Sequence, residues 1–77
     1  MNWKDVSEKS RDWMVELGAF HPTRDPKEAK VKGWLLDYNV SGSASANLSS
    51  TDLREIAAAC TEVAEWLDKR AEEAKGE

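Results

Sequence analysis

His21 and Cys60 are the single imidazole and the single thiol of the chain, 39 residues apart in a sequence of 77. Together they could supply a nucleophile and its base, or two corners of a zinc site. The first chemistry also needs a third group that orients the base, and the second needs three or four convergent ligands. Nothing in the spacing offers either. His21 precedes Pro22 and reads as a loop residue, while Cys60 falls at the centre of an apolar helical stripe, where a thiol serves as a small hydrophobe. The 15 acidic residues form no Asp-rich calcium loop, and no pair among them is set apart for acid–base work. Ser41, Ser43, Ser45, Ser49 and Ser50 are accounted for by chain flexibility and helix capping. Ser41-Gly42-Ser43 lacks the spacing and the lysine of a phosphate loop, and Asp52 already brings negative charge to the helix start that follows. The expectation is a protein that is not an enzyme and that uses no metal and no cofactor.

Binding chemistry is better represented. Arg24, Lys27, Lys30 and Lys32 lie just ahead of Trp34 and Tyr38, and cations beside aromatic rings are what a surface needs to hold phosphates and stack bases. Asp25 and Glu28 interrupt that run, so a nucleic-acid-binding regulator that uses Arg24, Lys27, Lys30, Lys32 and Trp34 is the alternative rather than the first expectation. The net charge of -4 is unevenly spread: residues 22–33 sum to +2 and residues 50–77 to -4. An acidic C-terminal half repels a nucleic-acid backbone and suits a basic protein surface. No apolar run approaches the roughly 18 residues of a membrane span, and the N-terminal MNWKDVSEKSRDW is too charged for a secretory signal. A cytoplasmic location without membrane attachment is expected, in keeping with a lone cysteine that has no internal disulfide partner.

These residues must be positioned by one small domain covering residues 1–77, since a chain of this length supports a single core. Trp3, Val6, Ser10, Trp13, Met14 and Leu17 share one side of a helical wheel, which predicts an amphipathic helix over about 3–17 with Gly18 as its stop. Asp5 with Lys9 and Lys4 with Glu8 are spaced as ion pairs on its outer side. Ser10 is the one polar interruption. A second helix is predicted over about 50–74. Ser49 and Asp52 have the spacing of a capping box, Leu48 and Leu53 that of a hydrophobic staple, and Glu65 with Lys69 that of an outer ion pair. Leu53, Ile56, Ala57, Cys60, Val63, Ala64, Leu67 and Ala71 form its expected core face. Between the helices, Asp25-Pro26-Lys27-Glu28 reads as a short helical turn over about 26–31. Trp34, Leu36, Tyr38 and Val40 alternate as a strand does, so a short strand or hairpin is expected at about 33–48. The fold class is therefore small α+β, predominantly helical; a three-helix bundle is the alternative.

Trp66 does not fit that scheme. It projects about 60° beyond the edge of the expected core face, beside Ala59, Glu62 and Arg70. Either the domain wraps two faces of the helix and Trp66 is core, or Trp66 is an exposed aromatic anchor of the kind that dominates protein interfaces. Ala58 and Ala59 would let a second helix approach closely. The expectation is a non-enzymatic protein-interaction module, a small regulator or inhibitor of another protein. Compact acidic domains without motifs are common among the inhibitors that phages and mobile elements encode against host defence. Its partner-binding residues would be Trp66, Ala59, Glu62, Arg70 and Ala58. The partner would be a protein with a basic surface, or a second copy as a homodimer through the same face.

Overall fold

The computed structural model describes residues 2–18, 21–32 and 48–76. These residues are mostly helical, with two α-helices and a short two-stranded antiparallel ladder: α1 (Glu8–Gly18), β1 (His21–Pro22), β2 (Val31–Lys32) and α2 (Ser50–Lys75). Two 3-10 turns, Trp3–Asp5 and Pro26–Glu28, precede α1 and link the strands. No helix among the described residues is long and apolar enough to cross a membrane.

The helix expected over 3–17 is divided in two, because its first residues are cap formers. Asn2 accepts a hydrogen bond from the Lys4 amide at 3.1 Å, and the Asp5 carboxylate accepts one from the Asn2 amide at 2.9 Å, which closes a complete capping box around one turn. Val6 is then extended, with φ -71° and ψ 138°. Ser7 opens a second start: its carbonyl accepts from the Arg11 amide at 3.0 Å and its hydroxyl from the Ser10 amide at 3.3 Å. Side-chain acceptors of this kind compete with continuous helix for the backbone donors. Two caps within six residues favour two short elements over one long helix. The break also redirects the side chains, so the expected Asp5–Lys9 pair gives way to an ion pair between Lys9 and Glu55 of α2 at 2.8 Å.

The turn expected near 26–31 forms as a single 3-10 turn. Asp25 caps it by accepting from the Lys27 amide at 3.0 Å, Pro26 takes its first position, and it ends at Ala29 in the left-handed region, φ 48°. That reversal, fixed by a hydrogen bond from the Thr23 amide to the Lys30 carbonyl at 3.1 Å, pairs His21 with Lys32 and Pro22 with Val31. The segment gives no third helix among the described residues. Apart from Leu48, the strand or hairpin expected at about 33–48 lies outside the described residues, and so does Trp34.

α2 begins where its caps place it. The Asp52 amide donates to the Ser49 hydroxyl at 3.1 Å and the Ser49 amide to the Asp52 carboxylate at 3.0 Å. Its rotation about its own axis differs from the expected one. The core consists of Val6, Met14, Ala59, Val63, Trp66 and Leu67, with Trp3, Trp13, Leu17 and Val31 packed against it. Ala59 and Trp66, placed outside the expected core face, are buried. Leu53, Ala57, Cys60 and Ala64, placed inside it, are exposed. The physical reason is size. α1 can cover only one side of α2, and the side carrying an indole removes more apolar area from water than one carrying three small residues and a leucine.

Candidate interaction surface on the long helix

The residues first expected to bind a partner are engaged by the fold, Ala58 excepted. Trp66 is 7% exposed, and its ring meets Trp3 edge-to-face with centroids 5.2 Å apart and planes at 69°. Its indole nitrogen is covered and makes no hydrogen bond, whereas an interface tryptophan turns that donor toward its partner. The reading of Trp66 as an exposed anchor is therefore replaced by the core reading. Ala59 lies beneath α1 at 2% exposure. Arg70 stacks on the Trp66 ring, its guanidinium carbon 5.3 Å from the centroid, and donates to the Thr23 carbonyl at 2.7 Å and, at 3.4 Å, to that of Arg24. It thereby ties the strand-linking loop to the core.

Glu62 also has a structural role. Its carboxylate accepts hydrogen bonds from the Ser7 amide at 2.6 Å, the Ser7 hydroxyl at 2.7 Å and the Ser10 hydroxyl at 2.6 Å. The Ser10 hydroxyl bond, then the backbone and side-chain bonds of Ser7, hold the carboxyl below its ordinary pKa against the opposing effect of desolvation. Ser10, the polar interruption in the α1 stripe, is buried because it completes this junction. An anion at the first turn of α1 also complements the helix dipole.

The basic segment is split by its turn. Arg24, Lys30 and Lys32 line one open concavity of about 640 Å³ together with His21, Thr23 and Val31, but Asp25 and Glu28 line it too. Lys27 lies elsewhere, in a cleft with Asp68, Glu72 and Lys75 of α2. The structure thus brings three of the four cations together and dilutes them with two carboxylates.

What the rotation of α2 leaves outward is an apolar stripe. Leu53, Ala57, Cys60 and Ala64 fall within an arc of roughly 60° at 3.6 residues per turn, and span about 16 Å of helix axis. All are exposed, Leu53 at 54%, and half-buried Ile56 borders them. Leu48, the residue before the cap, adds a second large apolar side chain at this end of α2, 41% exposed. The same stripe continues toward the C-terminus as Leu67 and Ala71, which are buried. The helix is therefore covered along one half of this face and open along the other. Sequence reasoning identified these residues and misassigned their surroundings. The missed signal was that the expected core face and Trp66 together exceed the width that one short helix and a two-stranded hairpin can cover.

Reactive chemistry does not converge here. Cys60 is exposed instead of buried as expected, and no cluster of three or more His, Cys, Asp or Glu side chains that could hold a metal occurs among the described residues. Comparison with protein-family models, curated proteins and solved structures finds no match, so a functional reading of this chain rests on its own surface.

Proposed function

We propose that the protein is a non-enzymatic interaction module, a small regulator or inhibitor that acts by docking another protein chain against the outward stripe of α2. The observation that supports this is the run Leu53, Ala57, Cys60 and Ala64, exposed on a helix whose other side is fully used for the core. Isolated exposed aliphatic residues are ordinary, whereas a continuous apolar strip with a polar rim is typical of a contact surface. Ala57, Cys60 and Ala64 are short enough for another backbone to come close. Arg54, Glu65 and Asp68 on its flank supply charges that can select the partner's orientation.

Affinity capture after nuclease treatment, comparing wild type with Leu53→Asp and Ala57→Glu, tests the reading. Both positions are exposed, so the fold should persist, as circular dichroism would verify. Loss of a retained protein in both variants is the expected result; identical retained proteins in all three samples refute the assignment.

The alternative, a nucleic-acid-binding regulator, draws on the shared concavity of Arg24, Lys30 and Lys32. It requires a labelled duplex or single strand to bind at low salt and to weaken steeply as salt rises. No binding at low salt removes it.

A further inference from the structure

We infer that the occupant of this stripe is a second copy of the same chain, its α2 lying antiparallel across a twofold axis between positions 58 and 59. The inference rests on the stripe being a docking surface and names its partner. Three features of the surface favour self-pairing.

The first is the spacing. Leu53, Ala57, Cys60 and Ala64 are separated by gaps that read the same in both directions, so reversing one helix lays Leu53 opposite Ala64 and Ala57 opposite Cys60. The largest side chain of each copy then meets the smallest of the other, and the centre holds short side chains alone. A twofold interface requires this kind of self-complementarity.

The second is charge. Arg54 and Glu65 project from the same flank of α2, and neither makes an ion pair among the described residues. In the antiparallel arrangement Arg54 of one copy lies within about 3 Å, measured along the axis, of Glu65 of the other, and symmetry makes the pair twice. A parallel twofold would carry the Arg54 and Glu65 flanks of the two copies to opposite sides of the seam, so the pair would not form.

The third is the core of the domain itself. A chain of 77 residues buries a small fraction of its surface compared with larger domains, and dimerisation is a common means of adding burial. The covered half of the stripe, at Leu67 and Ala71, ends where the partner's Leu53 would begin, so the two burials would form one continuous apolar seam.

Light scattering and sedimentation of the full chain from micromolar to millimolar concentration, with Cys60 alkylation measured alongside, test the proposal. The expected result is a mass rising from 8.6 kDa to twice that value, with alkylation slowing as the dimer forms. Ala57→Glu should weaken association by about a hundredfold or more, since it buries a charge at the axis. Arg54→Glu should weaken it by about tenfold through loss of two flank pairs, and Arg54→Glu with Glu65→Arg should restore it. A monomer at every concentration with freely reactive Cys60 overturns the dimer and leaves the docking surface to be judged by the capture experiment. A monomer with protected Cys60 overturns both, because the stripe would then be closed within the single chain. A dimer indifferent to Ala57→Glu associates through another surface and equally overturns the proposal.

Discussion

Replacing Glu62 by alanine removes the single acceptor that serves three donors at the start of α1. Each of its bonds is charge-assisted and short, and such bonds contribute about 1.5 kcal/mol apiece at the low end of their range. Simple addition would give about 4.5 kcal/mol, but one carboxylate at the edge of the core is partly screened and its bonds are not independent. The expected cost is about 2–3 kcal/mol. For a domain of 77 residues, total stability lies in the range of about 4–12 kcal/mol, so the melting temperature should fall by about 10–20 °C. Urea unfolding at neutral pH, followed by helix circular dichroism, measures this directly. A loss below about 0.5 kcal/mol, the level of an ordinary surface substitution, refutes the argument that Glu62 locks α1 to α2. The pH dependence gives an independent check. The folded-state pKa of Glu62 is lowered, so its contribution is fully present above the unfolded carboxylate value and is lost as pH falls through the folded value. The stability difference between wild type and Glu62→Gln should accordingly narrow below the ordinary carboxylate range. A gap that stays constant or widens on acidification contradicts the proposed hydrogen bonding.

Three further substitutions probe the remaining elements. Ser49→Ala removes the hydroxyl that accepts from the Asp52 amide in the α2 capping box, leaves the bond from its own amide to Asp52, and should cost about 1 kcal/mol in the same unfolding assay. Ala29→Gly should stabilise by about 0.5 kcal/mol, because relief of the left-handed conformation outweighs the extra unfolded-state freedom of glycine; destabilisation would show that the reversal is not strained. Trp66→Ala should cost about 3–5 kcal/mol as a buried aromatic truncation, and a near-neutral result would return Trp66 to the surface.

Features specified by a few neighbouring residues were legible in the sequence. Ser49 and Asp52 fix the start of α2, and Asp25 with Pro26 fixes the 3-10 turn, because caps act across three or four positions. The division of the expected 3–17 helix was legible in principle from Asn2, Asp5 and Ser7, but the wheel pattern of Trp3 to Leu17 runs through the break without a gap. The rotation of α2 was not legible. Both of its sides carry apolar residues at helical spacing, and the choice between them depends on what α1 and the 21–32 hairpin can reach. The candidate site depended on that choice: Leu53, Ala57, Cys60 and Ala64, named as core, face outward, Ala59 and Trp66, placed beyond it, are buried, and Val63, Leu67 and Ala71 stay in the core as expected. Glu62 was named for the wrong reason: its donors, Ser7 and Ser10, lie 52 and more positions away in the chain.

The edge-to-face meeting of Trp3 and Trp66 has an optical consequence. Two indoles at 5.2 Å couple their electronic transitions, so the docked N-terminal turn should carry an exciton signature in the ultraviolet circular dichroism that vanishes when either ring departs. Trp3 belongs to the short element ahead of α1 and Trp66 to the helix at the other end of the chain. The signal would therefore report closure of the whole domain from a label the sequence already contains, and would allow undocking of the first turn to be followed in time separately from the melting of either helix.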